Sequence, residues 1–168
     1  IKSIFLVGDG KEFNTVLIYP DHRNSPLDLK FETDKNIRDF FSSIILSVNS
    51  FLSPFERIVN YVLIHRDFSI EREELTHKGT FIRTQVLKNF KKIIDPLYEK
   101  NYVSLYNNSK EVRIPNWLTR EIGTVKNHIS WDGKILTIKD QSKKMNLNWI
   151  DNNIQIGDFI YKTKSSLI

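Results

Sequence analysis

A lysine in a short turn is the residue of this chain whose position most strongly suggests chemistry. Residues 74–83 read Glu-Leu-Thr-His-Lys-Gly-Thr-Phe-Ile-Arg, which places Lys78 between an extended segment and an amphipathic helix. A lysine ammonium is a compact point charge that a turn can direct at a phosphate or a carboxylate. Gly79 gives that turn the backbone freedom it needs. We predict Lys78 as the catalytic candidate, against the alternative of an exposed turn lysine without a role.

The neighbouring cation and the histidines are weaker candidates. Arg83, one turn into the helix, is the second candidate cation, and His77 could donate a hydrogen bond to a phosphate, although its position favours a solvated side chain. His22, His65 and His128 are scattered along the chain without the spacing of metal ligands. The sequence therefore predicts no metal held by the protein itself.

Two further polar segments favour structural roles. Residues 8–10, Gly-Asp-Gly, look like a hairpin loop rather than a phosphate-binding loop, and the chain has neither a G-x-x-x-x-G-K-[ST] nor a G-x-G-x-x-G motif. Glu71, Glu73 and Glu74 form an acidic run. Acid–base chemistry needs two carboxylates in different environments, so we predict a solvated loop for this run.

Several aromatic and basic residues are also expected to be structural. Trp117, Trp131 and Trp149 could stack on nucleic-acid bases, but we favour core positions in a small β-rich unit. In residues 55–57, Phe55 is predicted to pack beneath a turn and Arg57 to pair locally.

Composition narrows the class of protein. The chain has 168 residues and a net charge of +5. This charge fits two alternatives: the protein attracts a polyanion, or its surface is rich in lysine and has no such partner. The absence of cysteine excludes disulfides and cysteine nucleophiles and fits a reducing, cytoplasmic location. No apolar run approaches the roughly 20 residues that span a bilayer, and no secretory pattern opens the chain.

Hydrophobic patterns in the first hundred residues predict a mixed structure. Apolar runs at 3–7 and 15–19 indicate a hairpin. Apolar residues at steps of three and four predict a helix from Thr33 or Asp34 to Leu52, and residues 59–65 predict a central strand buried on both faces. Residues 82–100 predict a second helix, which Pro96 could kink or end.

The remainder of the chain has a different pattern. Short alternating groups of aromatic and apolar residues from residue 102 onward predict a β-rich part. A short helix is predicted over residues 117–121, before most of these groups. Asp132-Gly133 is a strong signal for a hairpin with a two-residue turn, and residues 154–159 suggest another turn.

Five segments in order resemble the C-terminal domain of AMP-forming acyl-CoA synthetases, which are adenylate-forming ligases. The segments are residues 3–10, 15–21, 48–58, 59–76 and 82–99. The first two, which end in Gly-Asp-Gly and Pro-Asp, are more similar to the long-chain fatty acid members than to the acetate members.

The resemblance implies an α+β fold: a small sheet of three to four strands plus a hairpin, flanked by two helices and followed by a β-rich C-terminal appendage. It divides the chain into the mobile lysine-bearing domain at 1–101 and an extension of unknown role at 102–168. Because the chain begins with Ile inside an apolar run, we expect a fragment whose N-terminal adenylating domain is missing.

The resemblance also implies an activity and its ligands. The intact enzyme would use ATP, CoA and Mg²⁺ to join a carboxylic acid, expected to be a fatty acid, to CoA. The fragment alone would be inactive and would bind none of these stably. No nucleic-acid partner and no transmembrane segment are expected.

In the family, a lysine just before the closing helix serves adenylation, which is the role implied for Lys78. The usual pattern places that lysine about two positions later, where this chain has Thr80. Two alternatives stay open: a non-catalytic basic module that binds a protein or a nucleic acid, and a degenerate synthetase domain that keeps the fold without the chemistry.

Overall fold

The computed structural model describes residues 1–23, 33–151 and 153–162, and these residues form the predicted α+β fold. Four α-helices are present in the described part: α1 (Asp34–Asn49), α2 (Arg83–Asn89), α3 (Lys91–Tyr98) and α4 (Asn116–Ile122). Ten strands accompany them: β1 (Ser3–Val7), β2 (Asn14–Tyr19), β3 (Ile58–Leu63), β4 (Tyr102–Asn107), β5 (Lys110–Pro115), β6 (Ile129–Trp131), β7 (Ile135–Ile138), β8 (Lys143–Ile150), β9 (Asn153–Ile156) and β10 (Phe159–Lys162).

The first sheet has the order β1-β2-β3, so β2 is its central strand. β1 and β2 form the predicted antiparallel hairpin, and β3 runs parallel to β2. The strand predicted over residues 59–65 is present as β3, but its predicted central position was wrong, because β3 is paired with β2 alone among the described residues. Helices cover both faces of the sheet, so even an edge strand carries a continuous apolar run. Such a run does not distinguish an edge from a centre.

Helices flank this sheet on both faces, as predicted. On one face, Val16 and Ile18 of β2 pack against Phe41 and Ile45 of α1. On the other face, a core cluster joins the sheet to α2 and α3 through Phe5, Val7, Leu17, Ile64, Phe68, Val86, Phe90 and Ile94. Successive side chains of a strand point to opposite faces, which is why neighbouring residues of β2 supply both cores.

Helix α1 begins where the sequence predicts. The side chain of Thr33 accepts a hydrogen bond from the backbone N–H of Asn36, and Asp34 places a negative charge in the first turn. Both features stabilise a helix N-terminus. The helix ends at Asn49, three residues before the predicted end at Leu52.

The predicted helix over residues 82–100 is instead two helices that meet at Phe90. Phe90 has φ −100° and ψ 11°, outside the α-helical range, and closes α2 while opening α3. Its ring is buried and packs near Phe68, with the Arg66 guanidinium 4.4 Å from its centroid. Pro96 lies inside α3, which continues to Tyr98, so the break falls at a buried aromatic residue and not at the proline.

Residues 102–162 form the predicted β-rich part. β4 and β5 pair as a hairpin, α4 follows, and β6 to β10 form an antiparallel sheet with the order β10-β9-β8-β7-β6. The turn between β9 and β10 is Gly157-Asp158, as predicted. Asp132 and Gly133 lie in the β6–β7 hairpin, as predicted, but the last strand pair is Trp131–Leu136, so the connection is longer than the predicted two residues. The short helix predicted over 117–121 is α4.

The β-rich part contacts the first sheet through the segment that follows α4. Val125 is 1% exposed and lies in the core on the α1 face, with Val16 and Phe41. The Arg57 side chain donates to the carbonyl oxygens of Leu52, Arg120 and Glu121. The predicted local pairing of Arg57 is therefore wrong in part, because two of its three acceptors lie at the end of α4.

One aromatic prediction fails and another holds only in part. Phe55 is 72% exposed rather than packed beneath its turn. Trp131 is buried and Trp149 is partly buried against the second core, but Trp117 is 59% exposed and lines an open cleft with Phe13 and Tyr102. A tryptophan at the start of a two-turn helix can face either side, and sequence spacing over seven residues does not decide which.

Candidate functional site

Lys78 lies at the tip of a tight hairpin loop between Thr76 and Thr80. The backbone N–H of Thr76 donates to the carbonyl of Thr80 at 2.8 Å, and the N–H of Gly79 donates to the carbonyl of Thr76 at 2.8 Å. The Thr76 hydroxyl accepts a third hydrogen bond, from the N–H of Thr80. These bonds hold the ends of a five-residue loop together and present its middle residue to solvent.

Gly79 makes this loop possible. Its φ is +79°, in the left-handed region where a side chain is strained, and a Cβ at this position would meet no other atom within 4 Å. The glycine is therefore required by backbone conformation and not by crowding. The Lys78 side chain is exposed, and the described part of the structure gives its ammonium no ion-pair or hydrogen-bond partner.

A bridge and an aromatic cluster fix the base of the hairpin. Leu75 and Phe81 face each other as an antiparallel bridge, and the N–H of Ile82 donates to the carbonyl of Glu74. The Phe81 ring packs edge-on against Phe5, at 5.1 Å, and Phe68, at 5.0 Å. The loop that carries Lys78 is thus anchored on the core between the sheet and α2.

Glu74 is the buried anchor of the hairpin, which corrects the prediction of a solvated acidic run. Glu74 is 0% exposed, and both of its carboxylate oxygens accept hydrogen bonds from the Arg66 guanidinium, at 2.6 and 2.8 Å. The Asn89 side chain donates a third at 2.9 Å, and the N–H of Ser69 donates a fourth at 3.2 Å. Glu71 and Glu73, by contrast, are exposed as expected.

The environment of Glu74 holds it ionised. Burial raises the pKa of the carboxyl, but the hydrogen bonds from Arg66, Asn89 and Ser69 outweigh that effect and leave the pKa below its usual value. A bidentate arginine with all carboxylate oxygens bonded is the arrangement in which a buried charge is tolerated. Glu74 therefore ties the chain just before the hairpin to the loop after β3 and to α2.

Arg83, the second candidate cation, is already engaged. Its guanidinium forms an ion pair with Asp9 at 2.7 Å, donates to the carbonyl of Leu6 and lies 4.8 Å from the centre of the Phe5 ring. This brings the Gly8-Asp9-Gly10 loop against the start of α2. Asp9 compensates the charge of Arg83, so of these two cations it is Lys78 that remains available to a ligand.

The remaining polar candidates do not form a site. His77 is exposed beside Lys78, as expected for a solvated turn residue. No cluster of three or more His, Cys, Asp or Glu side chains with metal-binding geometry occurs among the described residues. The structure thus groups Lys78 and its hairpin with Glu74, Arg66 and Asn89.

Arg66 and Asn89 are the residues that sequence reasoning missed. They lie 8 residues before and 15 residues after Glu74, on a loop and at the end of α2. A hairpin could have been inferred from Leu75 and Phe81 on either side of a Thr-His-Lys-Gly-Thr turn. For Arg66 and Asn89, however, no local sequence pattern indicates that their partner is Glu74.

Residues 1–102 match the family described as AMP-binding enzyme C-terminal domain. The chain therefore belongs to this family, with the match ending at the start of β4. Membership implies an ATP-dependent enzyme of the adenylate-forming class that also has an N-terminal partner domain. No curated protein matches the chain significantly, and no solved structure does so either. No described helix has the length and apolar character needed to cross a membrane.

Proposed function

We propose that this chain is the C-terminal domain of an AMP-forming acyl-CoA ligase and that Lys78 supplies a positive charge to the adenylation step. The observation that carries the proposal is an exposed lysine without a partner in the described structure, on a hairpin that a buried Glu74–Arg66 pair fixes in place. Family membership supports the adenylating class, and the CoA step rests on the sequence resemblance.

Lys78 has a physical role in such a reaction. When a carboxylate oxygen attacks the α-phosphate of ATP, pyrophosphate leaves and negative charge increases on the oxygens around phosphorus. A preorganised ammonium in a closed site of low dielectric stabilises that charge in the transition state. The CoA sulfur then displaces AMP from the acyl-adenylate to give the thioester. Rotation of this domain between the two steps would withdraw Lys78 and open the CoA path.

The hairpin geometry supports this role for Lys78 although the lysine lies before the usual position. Thr80 occupies the usual lysine position, but its N–H and its carbonyl both bond back to Thr76 within the loop. Lys78 lies in the middle of the same five-residue loop. A lysine side chain with four methylene groups can therefore serve the same region of space from the tip of the loop.

The wider assignment follows from the same resemblance. We infer a lysine-bearing domain over residues 1–101 and an extension over 102–168, with a fatty acid as the carboxylic substrate and ATP, CoA and Mg²⁺ as ligands of the intact enzyme. This domain alone would be inactive, because the resemblance assigns the nucleotide and acyl sites to the partner domain.

The test is Lys78→Ala in the intact enzyme, with the two half-reactions measured separately. The rate of adenylation, measured by pyrophosphate exchange, should fall by about 10²-fold or more, which is the scale of losing one preorganised charge donor. Thioester formation from supplied acyl-adenylate should keep its rate. Lys88→Ala, which removes an exposed lysine from α2, is the matched control.

The other results have defined meanings. Normal rates for both half-reactions of Lys78→Ala would show that Lys78 is not the adenylation lysine. An unmodified intact protein without pyrophosphate exchange, but with normal CoA affinity, would identify a degenerate synthetase instead.

A further inference from the structure

Strand β10 ends the five-stranded sheet with an apolar edge. Phe159, Ile160 and Tyr161 are 69%, 62% and 51% exposed, and within the described chain β10 pairs with β9 alone. Exposed edges offer unpaired backbone N–H and C=O groups to another strand, and proteins usually protect them with charged residues, prolines or bulges. β10 has no charged residue between Phe159 and Tyr161.

The hairpin geometry determines which backbone groups face outward. Gly157 and Asp158 form a two-residue loop, with Gly157 at φ +60°, and Ile156 and Phe159 are the closing pair. The closing pair directs its N–H and C=O groups towards each other across the two strands. Alternation along an antiparallel ladder then turns the groups of Ile160 and Lys162 towards the free edge.

The side chains of β10 continue two different surfaces of the sheet. Phe159 and Tyr161 stand opposite Ile156 and Ile154, which contribute to the second core, so the two aromatic rings extend that core face beyond its last covered strand. Ile160 points to the other face, opposite Gln155. The edge is therefore apolar on both faces.

We propose that β10 binds a second copy of this chain by antiparallel pairing about a two-fold axis at Ile160. In this register Ile160 lies opposite Ile160 of the second copy, Phe159 opposite Tyr161, and Asp158 opposite Lys162. The outward-facing backbone groups of Ile160 then meet the same groups of the second copy, and Lys162 lies beside the loop residue Asp158 of that copy. The two sheets become one ten-stranded antiparallel sheet.

Charge complementarity favours a second copy over another strand. The order acidic, aromatic, aliphatic, aromatic, basic over residues 158–162 is its own complement when reversed, so the symmetric register gives two Asp–Lys pairs and two Phe–Tyr pairs. Opposite charges and aromatic side chains that face each other across antiparallel strands stabilise the pairing. The inference is independent of the proposed function, because all of its residues lie outside residues 1–102.

The first test uses the absence of cysteine from the chain. In the proposed register the Cα atoms of the two copies of residue 160 lie about 5.5 Å apart, within the range that a disulfide spans. Ile160→Cys should therefore form a disulfide-linked dimer under mild oxidation about tenfold faster than Ser130→Cys, an exposed position on β6 at the opposite end of the sheet. Equal rates for the two variants would overturn the proposal.

The second test reverses charges and uses sedimentation to measure association. The unmodified chain should form dimers at about 100 µM, the range of weak interfaces of small area. Asp158→Lys or Lys162→Glu alone should raise the dimer dissociation constant about tenfold, because each places like charges opposite one another twice. The double variant should restore it.

Lys144→Glu, the same charge reversal on the inner strand β8, should leave the constant unchanged. A monomeric unmodified chain, or a double variant as weak as the single ones, would refute the pairing. In that case β10 would instead pair with a strand from the rest of the enzyme or from another protein.

Discussion

The two regions of this chain differ in what their surfaces present. In residues 1–102, the buried Glu74 carboxylate and Arg66 hold one hairpin in place, and Lys78 at its tip has no partner in the described structure. In residues 103–162, the buried carboxylate of Glu111 pairs with Arg113 inside its own β4–β5 hairpin and positions no free cation, and the five-stranded sheet ends in an apolar edge. The first arrangement is typical of a positioned functional group, and the second of a contact surface.

The boundary of the family match is nevertheless not a boundary of packing. Val125 and Asn127 lie beyond residue 102 but contact the α1 face of the first sheet, Val125 in the core and Asn127 through the Tyr61 hydroxyl at 3.2 Å. The two regions therefore differ in their surfaces but share part of one core. The predictions below test that separation, beginning with the largest effect.

Removing the charge of Glu74 should have the largest effect. Glu74→Gln leaves the Arg66 guanidinium, whose side chain is one-third exposed, without its buried counter-ion. Removing one partner of a buried ion pair costs about 3–5 kcal/mol. Because Arg66 is partly exposed, we expect the free energy of unfolding to fall by about 3 kcal/mol. Urea unfolding should show this loss, whereas Glu73→Gln, an exposed neighbour, should change stability by less than about 0.5 kcal/mol.

The same variant links stability to function. In the intact enzyme, Glu74→Gln should slow adenylation while sparing thioester formation, because the hairpin that holds Lys78 loses its anchor. Loss of stability with an unchanged adenylation rate would separate the anchor from the function and would contradict the positioning role of Glu74.

Truncating Val125 tests whether the two regions unfold together. Val125→Ala removes two methyl groups from a site that is 1% exposed, and such deletions cost about 1–2 kcal/mol. Because the side chain lies in the core on the α1 face, we expect one cooperative transition at lower urea concentration. Val48→Ala on α1, where the side chain is 42% exposed, is the control and should have little effect. Two separate transitions would mean that the regions are energetically independent.

Arg57 provides a second test of the contact between the two regions, with an effect of similar size. Its guanidinium donates to the carbonyls of Arg120 and Glu121 at the end of α4, where helix carbonyls lack intrahelical partners. Arg57→Ala should therefore destabilise the chain by about 1–2 kcal/mol. Lys143→Ala on β8 controls for the loss of one exposed positive charge. Equal stabilities of the two variants would show that Arg57 does not hold α4.

Local patterns predicted much of this fold because the physics behind them is local. The apolar period and the Thr33 cap located α1, and glycine-containing turns located the β6–β7 and β9–β10 hairpins. The Lys78 turn was found for the same reason, since Gly79 and the flanking residues determine its backbone.

The missing parts depend on contacts between distant segments. The sequence does not indicate that Glu74 is buried while Glu73 is exposed, because burial comes from Arg66 and Asn89 on other elements. The edge position of β3 likewise depends on which strands pair, and the helix break at Phe90 on how its ring packs near Phe68. These features are tertiary, so patterns within a short window could not predict them.

Acid titration of the β4–β5 hairpin gives the smallest expected effect and the clearest sign. Hydrogen bonds from the Arg113 guanidinium and the Tyr106 hydroxyl lower the pKa of Glu111 from its ordinary 4.5 to about 2. A lowered folded-state pKa stabilises the fold above the unfolded value, and this contribution disappears as the pH falls from about 4.5 to about 2. Glu111→Gln should thus be less stable than the unmodified chain at neutral pH, and the two unfolding midpoints should converge across that interval. Glu99→Gln, at the end of α3, is the control, and a Glu111→Gln difference that stayed constant down to about pH 2 would show that Glu111 acts through packing and not through its charge.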